Sequence, residues 1–98
     1  MNIIENLHFT SDKPAVLPIL KTEKLNLLAI GLVQDQLLKK HKAAIPTLLT
    51  VLQGAIEFRI GGEVLHFRQF DTYHIPVNAE HEVRGLEATN VFTLTQEK

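Results

Sequence analysis

The chain has 98 residues and a mass of 11.1 kDa, enough for one small domain with a single core and too little for two. Hydrophobic residues make up 45% and charged residues 21%, as in a globular protein, and we expect one domain over residues 1–98. Ten Lys and Arg against eleven Asp and Glu give a formal net charge of −1, which argues against a nucleic-acid partner. The lack of cysteine excludes disulfides, thiolate metal sites and cysteine nucleophiles.

We expect neither a secretory signal nor a membrane-spanning segment. The first nine residues lack the basic region of a secretory signal and include Glu5. The longest apolar run, from Leu27 to Val33, has seven residues. A transmembrane helix needs about 20. The expectation is therefore a cytoplasmic protein without a membrane partner.

Short apolar runs separated by turn residues follow one another along the chain and predict strands. Helix propensity offers a helix over 37–44 as an alternative, but the short window and the following Pro46 weaken it. The predicted strands are 25–33, 37–41, 47–52, 56–60, 63–67, 72–75, 82–84 and 90–95. This pattern predicts an all-β fold, either a sandwich or a barrel.

The clearest unit is a β-hairpin around Gly61 and Gly62. Residues on either side alternate between apolar and polar, and two consecutive glycines supply the positive φ of a two-residue turn. A turn at this pair places Glu57 opposite His66, and we expect these two side chains to form a surface ion pair. The apolar face carries Ile56, Phe58, Ile60, Leu65 and Phe67, and the polar face carries Glu57, Arg59, His66 and Arg68.

Two predicted strands, 27–33 and 47–52, are apolar on both faces. A sheet that is buried on both sides in so small a domain needs a second layer. Another copy of the chain is the simplest supplier of that layer. We therefore expect a homodimer.

Histidines are the candidate chemical groups, because the signatures of serine hydrolases, P-loop proteins and His-Glu-x-x-His metalloproteases are absent. The five histidines are His8, His41, His66, His74 and His81. One of them lies in the series Asp35-x5-His41-x-Ala43-x3-Thr47-x6-Gly54. Another lies in the series Phe70-x5-Pro76-x-Asn78-x2-His81-x3-Gly85. Fifteen residues, 55–69, separate the two series and contain the hairpin.

The two series resemble the paired motifs of a small single-domain microbial cupin. Those motifs read Gly-x5-His-x-His-x3-Glu-x6-Gly and Gly-x5-Pro-x-Gly-x2-His-x3-Asn, and this chain aligns with both without a gap. The identical positions are His41, Gly54, Pro76 and His81, while Asn78 replaces a glycine and can also adopt positive φ. The resemblance implies a double-stranded β-helix, the RmlC-like jelly-roll barrel.

The resemblance also implies a site for a divalent metal, which cupins hold through three histidines and a glutamate. Carried over by position, only His41 and His81 remain, and Ala43 and Thr47 replace the other two ligands. A stable site for Mn²⁺, Fe²⁺ or Zn²⁺ needs three or more protein ligands. We therefore expect no cofactor. The alternative is a divalent metal (Mn, Fe, Zn or Ni) held with the help of a further group.

Two side chains are candidates for that further metal ligand. Glu80 would reach the site if its loop turned inward, and His74 alternates with Tyr73 and Ile75, which directs it outward, towards a dimer interface, if those two face the core. The basic run over 39–42, Lys-Lys-His-Lys, either steers an anionic ligand towards the site or is a solvated strand or loop.

Parity with His41 predicts which side chains line the barrel. They are His41, Ala43, Thr47, Leu49, Val51, Phe58, His81 and Val83. A largely apolar pocket with a few polar groups suits a small-molecule ligand. We expect a non-enzymatic small-molecule-binding or sensing barrel with an incomplete metal site. The alternatives are a metal-dependent cupin enzyme of the dioxygenase or isomerase type that uses His41 and His81, and a structural subunit whose pocket is vestigial.

Overall fold

The computed structural model describes all residues, 1–98, and contains one short helix and nine strands. The elements are α1 (Ile3–Asn6), β1 (Ala15–Lys21), β2 (Leu25–Val33), β3 (Leu37–His41), β4 (Thr47–Gln53), β5 (Ala55–Ile60), β6 (Glu63–Arg68), β7 (Thr72–Ile75), β8 (His81–Gly85) and β9 (Thr89–Glu97). The all-β prediction is confirmed. The helix has four residues, and no helix of the chain could cross a membrane.

The strands form two antiparallel sheets that enclose the main core. One sheet has five strands in the order β1-β2-β9-β4-β7, and the other has four in the order β3-β8-β5-β6. The buried hydrophobic residues between them are Ile30, Leu32, Leu49, Val51, Ile56, Phe58, Ile75, Val83, Phe92 and Leu94. Along β4 the burial alternates, so that Leu49 and Val51 face this core while Leu48 faces outward.

The hairpin of β5 and β6 has the predicted register. Glu57 pairs with His66, Ile60 pairs with Glu63, and Gly61 and Gly62 adopt φ values of 55° and 81°. Positive φ at both central residues is the requirement of a type I′ turn, whose twist matches that of the flanking strands. The local sequence therefore specifies both the turn and the pairing.

Most predicted strands are present, and the alternative helix over 37–44 is wrong because residues 37–41 form β3. Sequence analysis missed α1 and β1. The strand β1 was not predicted because it contains Pro18, and proline cannot donate a hydrogen bond to a strand ladder. The structure accommodates Pro18 because β1 is an edge strand and its register shifts between Pro18 and Leu20.

The N-terminal segment packs on the outer face of the five-stranded sheet. Leu7 is buried there in a second cluster with Ala15, Ala29 and Val91, and Phe9 packs against this cluster. A Cβ atom on Gly31 would lie 2.7 Å from the Phe9 ring, so glycine at that position lets the ring approach the sheet. Part of the second layer that we assigned to another copy of the chain therefore comes from the chain itself.

Asn90 joins distant parts of the chain inside the protein. Its side chain is fully buried, and its Oδ1 accepts hydrogen bonds from the backbone N–H groups of Ala55 and Glu87, both at 3.0 Å. Its Nδ2 donates to the carbonyl oxygens of Leu32 at 3.1 Å and Glu87 at 2.9 Å. The amide thereby satisfies backbone groups from β2, the start of β5 and the turn before β9.

Candidate functional site

The structure brings His41 and His81 together at one end of the sheets. His41 ends β3, His81 begins β8, and the two are direct cross-strand partners next to a register shift in β3. Their ring centroids lie 4.2 Å apart in an edge-to-face arrangement. His81 is buried and His41 is exposed, so the pair reaches from the interior to the rim.

Hydrogen bonds define the tautomer of both imidazoles. Nδ1 of His41 lies 2.8 Å from the carbonyl oxygen of Lys39, and Nδ1 of His81 lies 3.0 Å from that of Ala79. A carbonyl oxygen only accepts, so each Nδ1 carries the proton and donates it. In the neutral rings, Nε2 then holds the lone pair and is the nitrogen available to a ligand.

The environment of His81 favours its neutral form. Burial lowers the pKa of this imidazole, and nearby His41 lowers it further, while the hydrogen bond to Ala79 acts in the opposite direction. The ring of Phe58 stacks on the His81 ring with a centroid distance of 5.2 Å and an interplanar angle of 15°. The Phe58 ring takes the place of water on one face of the imidazole and so contributes to this desolvation.

The side chains around this pair do not fit the four-ligand metal site that the resemblance implies. Ala43 has no donor atom, and the hydroxyl of buried Thr47 donates to the carbonyl oxygen of Ile45 at 3.1 Å. No group of three or more His, Asp or Glu side chains is arranged to hold a metal ion. Two imidazoles without a carboxylate lack both the ligand number and the negative charge that favour a divalent cation.

Neither of the two groups considered as a further ligand joins the histidine pair. The Glu80 carboxylate lies 3.6 Å from the Lys40 ammonium, with both side chains largely exposed. His74 is exposed and pairs with outward-facing Leu48 on the five-stranded sheet. Its outward direction agrees with the predicted alternation along β7.

The side chains expected to line the barrel mostly face its interior. Thr47, Leu49, Val51, Phe58, His81 and Val83 are buried, Ala43 is half-buried, and His41 is exposed. Phe58 occupies the space below His81, with ring centroids 5.1 Å from Tyr73 and 5.8 Å from Phe67. An interior pocket lined by this set stays a prediction.

A cleft of about 720 Å³ opens beside β3 and extends to His41. Residues 11–14 form one side of the cleft and residues 35–41 form the other. No strand pairs with this edge of β3, so the two sheets are not joined here. Sequence analysis identified the basic run over 39–42 but missed residues 11–14, because nothing in their spacing indicates that they approach β3.

The cleft carries positive charge that the protein itself does not neutralise. Neither Lys13 nor Lys39 forms an ion pair, and both line the cleft. Of the two cleft aspartates, Asp35 is held by Arg84 through an Nη1–Oδ1 contact of 2.7 Å, whereas Asp12 has no basic partner. Two of the lysines that line the cleft therefore have no acidic partner within the protein.

Glu57 is the centre of an ion-pair network on the outer face of the four-stranded sheet. Its carboxylate accepts from Arg59 at 2.7 Å and from Arg84 at 2.9 Å, and His66 lies opposite at 3.7 Å. The hydrogen bonds from Arg84 and Arg59 lower the pKa of Glu57 from 4.5 to about 2. The predicted contact between Glu57 and His66 is present, but the shorter contacts of this carboxylate are those with the two arginines.

Backbone conformation supports the alignment of the two motifs. Positive φ occurs at Asp35 (65°), Gly54 (75°), Phe70 (74°) and Asn78 (63°). These are the four positions at which the cupin motifs carry glycine, the residue that adopts positive φ most easily. The chain forms these turns even at Asp35, Phe70 and Asn78, where the motifs carry glycine.

Known structures with the same architecture are cupins and double-stranded β-helix proteins. An uncharacterised conserved protein with a double-stranded β-helix domain from Klebsiella pneumoniae superposes with a TM-score of 0.89 and 16% identity, over 99% of this chain and 87% of that one. A cupin superfamily protein from Desulfitobacterium hafniense superposes with a TM-score of 0.87 and 9% identity, over 99% of this chain and 88% of that one. A cupin 2 conserved barrel domain protein from Leptotrichia buccalis superposes with a TM-score of 0.88 and 20% identity, over 100% of this chain and 47% of that one.

These similarities identify the chain as a small protein with the cupin fold, a double-stranded β-helix. No protein-family model matches the sequence, and no curated protein is significantly similar to it. Since one fold carries many functions, function has to be argued from the site.

Proposed function

We propose that this protein is a non-enzymatic small-molecule-binding barrel whose ligand occupies the cleft beside β3. The observation that carries the proposal is the cleft itself, with a volume of about 720 Å³ and His41 at one end. Ligand sites commonly have volumes of roughly 300–1,000 Å³. The Nε2 atom of His41 provides a polar group that can orient a ligand.

The charge of the cleft favours an anionic ligand, such as a small carboxylate or phosphate. Lys13 and Lys39 line opposite sides of the cleft and have no acidic partner in the protein. A bound anion would accept hydrogen bonds from both ammonium groups. Asp12 opposes this attraction, which favours a ligand with a neutral portion on the side of that residue.

Titration calorimetry with a panel of small carboxylates and phosphates, each beside a neutral analogue, tests the proposal. Lys39→Gln should weaken binding of the best anion by about ten- to a hundredfold, because one charge-assisted hydrogen bond is worth about 1.5–3 kcal/mol. Lys24→Gln is the matched control, since Lys24 lies in the exposed turn before β2, outside the cleft. Absence of binding by every anion, or equal binding by Lys39→Gln, would contradict the proposal.

The competing function is a metal-dependent cupin enzyme, and the free Nε2 atoms of His41 and His81 are the observation in its favour. We expect the purified protein to contain metal well below one equivalent and to fold without it. The check is elemental analysis of protein prepared without chelator and without a metal-binding tag. Tight stoichiometric Mn, Fe, Zn or Ni would favour the enzyme over the binding protein.

Restoring the two absent ligands tests whether the cupin site can be rebuilt. In the double variant Ala43→His and Thr47→Glu, we expect affinity for Mn²⁺ or Zn²⁺ to rise by orders of magnitude, because four ligands replace two. Adding His81→Ala to this variant is the control and should remove most of the gain. If calorimetry shows no gain, positions 43 and 47 do not converge with the histidines.

A further inference from the structure

The strand β3 has a backbone edge that pairs with no other strand of the chain. It lies at the end of the four-stranded sheet, where only β8 is its neighbour. The Gly85 N–H group donates to the Gln36 carbonyl oxygen at 3.0 Å, directly before the pair formed by Leu37 and Arg84. Because hydrogen-bonded and non-hydrogen-bonded pairs alternate along an antiparallel ladder, Leu37 and Arg84 exchange no hydrogen bonds.

The N–H and C=O groups of Leu37 therefore point away from β8 and into the cleft, of which residues 35–41 form one side. Residues 11–14 form the opposite side, but no backbone hydrogen bond joins them to Leu37. The Leu37 side chain is 43% exposed. This residue thus offers a hydrogen-bond donor, an acceptor and an apolar side chain to a molecule in the cleft.

The edge of β3 is protected in a different way from two of the other sheet edges. The edge strand β1 contains Pro18, and the edge strand β7 has only four residues; both features hinder the addition of another strand. On β3 the protection consists of a register shift after Leu38 and of two lysines. Lys40 contacts Glu80, whereas Lys39 has no acidic partner. Lysines on an edge repel a basic strand but attract an acidic one.

We propose that the cleft holds a short acidic peptide in extended conformation, which adds to the free edge of β3 as a further strand. The proposal rests on the proposed function, because it takes the anion site of the cleft and assigns a peptide backbone to its ligand. One peptide residue exchanges two hydrogen bonds with Leu37. A carboxylate side chain on that residue lies on the face that Leu37 shares with Lys39, two positions along the strand, and meets the ammonium group there. Strand addition takes its affinity from main-chain hydrogen bonds and its specificity from side chains.

NMR titration of isotope-labelled protein with the blocked peptide acetyl-Gly-Glu-Gly-amide tests the proposal. Butyrate provides a similar carboxylate without a backbone, and acetyl-Gly-Gln-Gly-amide provides the backbone without a charge. The acidic peptide should bind at least about tenfold more tightly than either, because each of them lacks one of the two kinds of hydrogen bond. Binding should protect the Leu37 amide hydrogen from exchange with solvent. The amide of Val64, on the edge strand β6 outside the cleft, should be unaffected.

Proline at position 37 tests the backbone contact directly. Leu37→Pro removes an N–H group that the ladder with β8 does not use, which is where an edge strand tolerates proline. It should weaken peptide binding about fivefold and leave butyrate binding unchanged. Val64→Pro is the matched control on β6 and should change neither. Circular dichroism verifies folding. If Leu37→Pro does not fold, a peptide methylated on its glutamate nitrogen replaces it and should lose the same factor against the unmodified protein.

The outcomes separate this proposal from the anion site on which it rests. Equal binding of the acidic peptide and butyrate would overturn the peptide ligand and leave the anion site intact, whereas binding by neither would contradict both. A Leu37 amide that stays exchangeable in the complex would also overturn the proposal. So would one that is already protected in the free protein, because a second copy of the chain or its own N-terminal segment would then occupy the edge. An equal loss of affinity in Leu37→Pro and Val64→Pro, or no loss in either, would have the same consequence.

Discussion

Replacing Asn90 by alanine should lower stability more than any other single loss of a polar side chain in this chain. The four hydrogen bonds of its amide join Leu32, Ala55 and Glu87, and the residue has no exposed surface. Each bond contributes about 1 kcal/mol, and water entering the vacated space would restore part of that. We therefore expect a loss of about 3–4 kcal/mol.

Such a loss is a large fraction of the total, since a domain of this size is stable by about 5–15 kcal/mol. It corresponds to a fall in the melting midpoint of about 15–25 °C for a domain near 100 residues. Thermal and urea unfolding followed by circular dichroism measure it. Asn26→Ala is the control, because the Asn26 side chain is half-buried and donates one hydrogen bond, to Gln96 at 2.9 Å. It should cost about 1 kcal/mol.

Asn90→Asp separates the role of the amide N–H groups from that of side-chain shape. A carboxylate oxygen would replace Nδ2 and face the carbonyl oxygens of Leu32 and Glu87, now 3.1 and 2.9 Å from that nitrogen. We expect this isosteric variant to be at least as unstable as Asn90→Ala at neutral pH, since it also buries a charge. Near-normal stability of the aspartate variant, or a cost for Asn90→Ala no larger than for Asn26→Ala, would refute this reasoning.

Three further predictions concern single positions. Phe70→Gly should stabilise the protein by about 0.5–1 kcal/mol in urea unfolding, because Phe70 is 78% exposed and glycine removes the cost of its φ of 74°. Glu57→Gln should lower the melting midpoint at neutral pH, and its difference from the unmodified protein should shrink as the pH falls from 4.5 to about 2, because the carboxylate takes up its proton over this range in the unfolded chain but stays ionised in the folded one until about pH 2. Gly31→Ala should cost about 1–3 kcal/mol and speed proteolysis of the N-terminal segment, because the added methyl group meets the Phe9 ring.

Local features of the structure were predictable from the sequence. The alternation on either side of Gly61 and Gly62 determines which residues pair in the hairpin, because a strand has a side-chain period of two and the turn closes over two residues. The bounds of β2, β3 and β7 agree with the predicted strands 25–33, 37–41 and 72–75, which neighbouring turn residues delimit. The resemblance to the cupin motifs implied that His41 and His81 belong to one site, and their ring centroids lie 4.2 Å apart.

Other features exist only in the folded chain. The partners of Asn90 lie up to 58 residues away, and Asp35 reaches Arg84 across 49 residues. Pro18 argues against a strand until the edge position of β1 is known. The cleft is also a feature of the folded chain alone, because residues 11–14 and β3 line it together although they are distant in the sequence. Strand periodicity and turn chemistry act over a few neighbouring residues and can be read from spacing, whereas contacts between sheets depend on how both sheets pack, which no local pattern encodes.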